Sequence, residues 1–212
     1  MGTTKVPFFL RDGLSKGEDF MSKQNKKLRL FVTIAMLSSI SFVLMLFNFP
    51  LPGFPAFLQI DFSDVPALIA TLTMGPVAGV TVELIKNILD WIYSGLPTGM
   101  PVGHIANFVT GILFIFPVYF IYKKFTSVTG LTVGLIVGTI VMSVGMAFLN
   151  YVAFLPMYGY FMNFHVDDML GMAVKAILPF NLLKGVMLII IVTVLFRTMN
   201  KWIGQQRLQY LS

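Results

Sequence analysis

The sequence predicts an all-α membrane protein, a six-transmembrane-helix bundle with N and C termini cytoplasmic. Two observations carry that expectation. Of 212 residues, 57% are hydrophobic and only 11% are charged, whereas a soluble domain needs roughly a quarter of its residues charged to hydrate its surface. The apolar residues also gather into six runs, all but one of them long enough to cross a bilayer, which takes about 17 residues or more.

Residues 1–20 stand apart, with Lys5, Arg11, Asp12, Lys16, Glu18 and Asp19 around one short apolar stretch. That stretch is too short for the core of a signal peptide, and no small-residue cleavage site follows it. It reads as a polar cytoplasmic N-terminal tail, an expectation that allows an origin outside the natural gene, with Met21 as a candidate natural start. Residues 21–212 read as a single transmembrane domain.

The first run covers about 28–49. The second, about 64–74, is short for a span and is expected to be tilted or irregular. Gly75-Pro76 breaks it from the third, about 77–93. The fourth covers about 102–122, the fifth about 131–158 and the sixth about 170–199. Short connections make sequence neighbours antiparallel neighbours in space. Gly75 and Gly79, then Gly130, Gly134 and Gly138, mark close helix contacts.

Orientation follows from the basic residues. Lys23, Lys26 and Lys27 precede the first run and Arg29 stands at its start, Lys123 and Lys124 follow the fourth, and Arg197, Lys201 and Arg207 close the chain. With six spans, all three clusters fall on one side, which the positive-inside rule makes cytoplasmic. Asp61, Asp64, Asp90, Asp167 and Asp168 fall toward the other side.

Depth then becomes readable at about 1.5 Å per residue. Glu83 and Lys86 lie near mid-membrane on the third run, with Asn87 and Asp90 farther out. His104 and Asn107 are in the outer third of the fourth, Asn150 and Tyr151 near the outer end of the fifth, and Asn181 and Lys184 halfway down the sixth. The inner halves are almost purely apolar. Polar side chains inside a membrane face a bundle interior or a wet cavity, and their concentration in one leaflet predicts a cavity open to the outside and sealed beneath. Asn181 and Lys184 share a helix face at i and i+3, setting an amide beside a cationic donor. Glu83 has two candidate partners, Lys184 at similar depth and Lys86 at i+3. Above the cavity, Phe49, Phe54 and Phe57 lie in a loop stiffened by Pro50, Pro52 and Pro55, suited to a membrane anchor or to a lid.

Several chemistries are excluded. The absence of cysteine rules out disulfides, iron–sulfur clusters and thiolate metal sites, and His104 and His165 lie too far apart in sequence to predict a shared metal. There is no phosphate-binding G-x-x-x-x-G-K-[ST], no H-E-x-x-H and no G-x-S-x-G. No catalytic residue, catalytic cofactor or metal is therefore expected. The bilayer is an expected partner, and nucleic acid is not.

Four stretches resemble one family. Asp61-Phe62-Ser63-Asp64-Val65-Pro66-Ala67-Leu68-Ile69-Ala70, then Gly75-Pro76-Val77-Ala78-Gly79, then Glu83-Leu84-Ile85-Lys86-Asn87 resemble the second and third helices of S components of energy-coupling factor (ECF) vitamin transporters. Pro179-Phe180-Asn181-Leu182-Leu183-Lys184-Gly185 resembles the last-helix motif of the riboflavin-specific S components. The resemblance implies a substrate-binding subunit in the cell membrane, working with a transmembrane coupling (T) subunit and two ATP-binding subunits. It implies docking on the coupling subunit through small residues of the first helix, here Ala35 and Ser39, where the family usually has two alanines. Riboflavin is then the expected transported ligand. Asn150, Asn181 and Lys184 would serve its uracil-like edge, Asn87, Asn107 or Gln59 its hydroxyls, and aromatics such as Phe57 its ring system, with Glu83 in the same polar set. The alternatives are an S component for another vitamin, a proton-coupled secondary transporter using Glu83, and a membrane-embedded enzyme using Glu83, Asp90 or His104.

Overall fold

The computed structural model describes residues 8–95, 101–162 and 166–211; Thr98 and His165 lie outside them. Helix α1 (Phe8–Leu46) is followed by a minimal antiparallel pair, β1 (Phe49–Pro50) and β2 (Gln59–Ile60). Then come α2 (Asp64–Met74), α3 (Pro76–Ser94), α4 (Val102–Lys124) and α5 (Val128–Leu149). A π-helical turn (Asn150–Phe154) leads from α5 into α6 (Leu155–Met162). A second (Ala173–Ile177) joins the single turn α7 (Met169–Met172) to α8 (Leu178–Leu211). The protein is an all-α membrane protein. Four continuous helical stretches, Gln24–Leu46, Val102–Lys124, Val128–Phe161 and Met169–Met199, are long and apolar enough to cross a bilayer.

The two remaining helices fail that test for different physical reasons. At 11 residues, α2 is only about 16 Å long at 1.5 Å per residue, half the hydrocarbon thickness. It is buried nearly throughout, from Asp64 to Met74, so the bundle rather than lipid surrounds it. Helix α3 is long enough but carries Glu83, Lys86 and Asp90, all buried. Gly75, with φ +98°, turns the chain between them in a conformation that only glycine adopts without strain, and Pro76 starts α3 with the fixed φ a first helical residue needs. A Cβ on Gly79 would collide with the Thr71 side chain, so α2 and α3 pack at glycine distance.

The glycine series on α5 works the same way against α4. A Cβ on Gly138 would lie 2.8 Å from the Phe114 carbonyl oxygen and one on Gly134 3.1 Å from that of Val118. Such close approach is how membrane helices gain dispersion energy where lipid removes the hydrophobic drive between them. Helix α1 is an edge helix. Ser38, Ser41 and Met45 form its buried seam, while Ala35 and Ser39 are exposed.

Candidate ligand cavity

One cavity draws its wall from five parts of the chain. Its empty volume, open mouth included, is about 520 Å³. From the loop and β2 come Phe57 and Gln59, and from α4 Asn107 and Thr110. Helix α5 and the π turn after it give Met146 and Asn150, α6 gives Tyr158, and α8 gives Phe180, Asn181 and Lys184. Both π turns flank this region. A π turn inserts an extra residue and re-aims the side chains around it; here Asn150 opens the first turn, and Asn181 lies four residues beyond the end of the second.

The two asparagines are held alike. Asn150 Nδ2 donates to the Met146 carbonyl at 2.8 Å and Asn181 Nδ2 to that of Ile177 at 2.9 Å, each four residues back. An amide pinned through one hydrogen keeps a second hydrogen and a carbonyl oxygen for a ligand. The hairpin seats its aromatics over the cavity: Phe57 lies against Tyr158 with centroids 5.5 Å apart, and Phe54 against Phe180 at 5.6 Å.

Beneath and beside this wall runs a buried ionic network. Lys184 Nζ lies 3.2 Å from Asp61 Oδ2 and 3.0 Å from Asp64 Oδ2. Lys86 Nζ reaches the other Asp64 oxygen at 2.6 Å, Glu83 Oε2 at 2.8 Å and Ser63 Oγ at 2.7 Å. Asp61 also accepts from the Ser63 amide at 2.9 Å, from the Ser63 hydroxyl, and from Asn107 Nδ2 at 3.4 Å. The Ser41 hydroxyl on α1 donates to the Ser63 carbonyl. Each ammonium thus meets two carboxylates, the arrangement by which a buried charge avoids an uncompensated desolvation penalty.

A neighbouring cavity, of about 700 Å³ empty volume, shares Phe57, Gln59, Gly103 and Asn107 with the first and adds Asp61, Asp90 and His104. His104 Nε2 and Asp90 Oδ2 are 2.9 Å apart.

Six residues singled out in the sequence, Phe57, Gln59, Asn107, Asn150, Asn181 and Lys184, therefore line one cavity. Glu83 and Asn87 are absent from the lining of both cavities. Glu83 is fully buried against Lys86, close enough to α4 that a Cβ on Gly111 would strike its carboxylate. Asn87 Nδ2 donates to the Glu83 carbonyl at 2.8 Å. Of the two partners open to Glu83, the structure gives it Lys86, and Lys184 turns to Asp61 and Asp64 instead. Those two aspartates, read in the sequence only as outer-side acids, are the residues that the sequence reasoning missed. The missing signal was the pair of intramembrane lysines, which together require more carboxylate than Glu83 alone supplies. Among the described residues no group of three or more His, Asp or Glu is placed to hold a metal ion.

Comparison with known proteins places the chain in a family. Residues 27–196 match the family model for the ECF transporter, substrate-specific component. The chain is 50% identical over 184 residues to the riboflavin transporter FmnP of Bacillus subtilis (strain 168), covering 85% of this chain and 97% of that one. It is 43% identical over 183 residues to the riboflavin transporter RibU of Staphylococcus aureus (strain TCH60), covering 85% and 94%. A solved structure of the S component of a bacterial ECF transporter superposes with a TM-score of 0.72 at 43% identity, over 83% of this chain and 98% of that one. The chain belongs to the substrate-specific components of ECF transporters, subunits that bind a substrate for transport and are not enzymes.

Proposed function

We propose that this chain is the riboflavin-binding subunit of an ATP-driven uptake transporter in the cell membrane, taking the vitamin from outside and delivering it with a transmembrane coupling subunit and two ATP-binding subunits. The observation that carries the reading is the convergence of Asn107, Asn150, Asn181 and Lys184 on one cavity roofed by Phe57. Riboflavin has a flat tricycle, a uracil-like edge and a polyhydroxyl chain, and the cavity offers a group for each. Phe57, Met146, Tyr158 and Phe180 take the tricycle, Asn150, Asn181 and Lys184 the edge, and Asn107 and Gln59 the hydroxyls. Glu83 and Asn87 support the wall from behind. The riboflavin transporters of two bacteria with 43–50% identity favour the same ligand.

The proposed topology has six crossings: α1, α2, α3, α4, α5 with α6, and α7 with α8. Lys26, Lys27 and Arg29, Lys123 and Lys124, and Arg197 and Arg207 then share the cytoplasmic side. Ala35 and Ser39, small and exposed on α1, form the docking face for the coupling subunit. The test is a titration of purified protein with riboflavin, following flavin fluorescence, against thiamine and biotin as controls. Saturable quenching by riboflavin that neither control displaces is the expected result. Displacement by either control, or no saturation, refutes the assignment.

A further inference from the structure

At the end of the bundle away from the cavity, the last turn of α4 and the last turns of α8 border a separate groove, with an empty volume of about 1120 Å³. Its cations are pre-positioned. The Arg207 guanidinium lies 5.0 Å from the centroid of the Tyr122 ring and donates to Thr126 Oγ1 at 3.5 Å. Lys123 Nζ lies 5.9 Å from the centroid of the Tyr119 ring. Neither cation has a carboxylate partner among the described residues. The sequence explains why: no Asp or Glu occurs between Asp90 and Asp167 or after Asp168, so the α4 and α8 ends have none to offer. Gly204 also borders the groove, and a Cβ there would meet nothing within 4 Å.

The surroundings are apolar. Leu208 in the groove lining is 72% exposed, and Phe120, whose ring packs edge-on against that of Tyr119, is 61% exposed. Lys123 is one residue from the end of the apolar stretch Val102–Lys124, which sets the groove at the boundary between hydrocarbon and headgroups. Basic pockets between transmembrane helices at that depth suit anionic headgroups. A soluble anion would use the cations but leave the apolar flank bare, whereas a lipid satisfies both.

We propose that this groove binds an anionic phospholipid, its headgroup phosphate held by Lys123, Arg207 and the Thr126 hydroxyl and its acyl chains lying along Phe120 and Leu208. The test uses the full chain in a neutral detergent, titrated with phosphatidylglycerol or phosphatidylcholine, reading lipid retention by native mass spectrometry and the melting temperature. Phosphatidylglycerol should be retained and should raise the melting temperature where phosphatidylcholine does not. Each surface charge is worth about fivefold at such a boundary, so the double variant K123Q/R207Q should bind phosphatidylglycerol about twenty-five-fold more weakly. Riboflavin affinity should be unchanged in that variant, because neither residue lines the cavity, and this reports that it is folded. Equal retention of the two lipids, or an undiminished response in the folded double variant, overturns the proposal. So does the same melting shift from inorganic phosphate alone, which would make the groove a site for free anions.

Discussion

Two buried lysines with nearly the same surroundings should behave differently when removed. Lys86 and Lys184 are 0% and 3% exposed, and each faces two carboxylates. Lys184 lines the cavity and Lys86 does not. An ammonium has three hydrogens; Lys184 donates one to Asp61 and pairs by charge with Asp64, which leaves donor capacity for a ligand. Lys184→Met should therefore weaken riboflavin binding by about 1.5–3 kcal/mol, the usual worth of a hydrogen bond to a charged group, or about 10- to 150-fold. Its effect on stability is softened because both aspartates keep other donors, Lys86 for Asp64 and Ser63 with Asn107 for Asp61. Lys86→Met strands Glu83, whose nearest cation is lost, and should cost about 3–5 kcal/mol of stability, as breaking a buried pair does. Riboflavin affinity of the protein that still folds should change little. The assay pairs flavin-fluorescence titration at low temperature with melting of the ligand-free protein. If the lysine variants lose affinity equally at equal stability, or if Lys184→Met binds normally, the division of labour is wrong.

Other outcomes follow from the same geometry. Asn150→Ala and Asn181→Ala should each weaken riboflavin binding by about 1–3 kcal/mol by leaving a buried ligand group unpaired; titration of both variants checks this, and normal affinity in both would place the edge of the ring elsewhere. Gly111→Ala drives a methyl into the Glu83 carboxylate and should lower stability by about 1–3 kcal/mol as overpacking does, while Gly204→Ala, facing open space within α8, should melt at or slightly above the parent because alanine is the better helix former. Single cysteines replacing the exposed Ser94 and Asp167 should react with an impermeant thiol reagent from outside, and those replacing Ser127 and Gln205 should not; outside labelling at Ser127 reverses the proposed orientation. Ala35→Trp and Ser39→Trp should keep riboflavin affinity and melting temperature but abolish ATP-driven uptake with the partner subunits, and a joint fall in affinity and stability would return this face to the core.

What was legible in the sequence was whatever depends on position along one helix. The gathering of Asn107, Asn150, Asn181 and Lys184 could be read because their depths follow from helix rise, and the Lys86–Glu83 pair because it is an i,i+3 contact. The tie from Asp61 to Lys184 spans 123 residues, and no periodicity encodes it. The β1–β2 pairing was hidden for a similar reason, since two-residue strands carry no alternation. The π turns, Asn150–Phe154 and Ala173–Ile177, contain neither glycine nor proline, so nothing local announces them. Helix α8 continues to Leu211 although its apolar run ends near Met199. Hydropathy reads where lipid stops, whereas a helix stops only where its backbone bonds do.

The two faces of α1 bear on how binding and energising can share so small a bundle. Ala35 and Ser39 point away from the protein, while Ser38, Ser41 and Met45 are buried. The hydroxyl of Ser41 donates to the Ser63 carbonyl, and Ser63 in turn donates to Asp61, which accepts from Lys184 and Asn107 in the cavity wall. A partner helix docking at Ala35 would thus press on an element bonded to the ligand-binding wall through only two intervening residues, yet would touch no cavity residue itself. Bulk added on the outer face is therefore a steric probe of docking, and removal of the Ser41 hydroxyl a probe of that connection. The two perturbations separate because they act on opposite sides of the same helix.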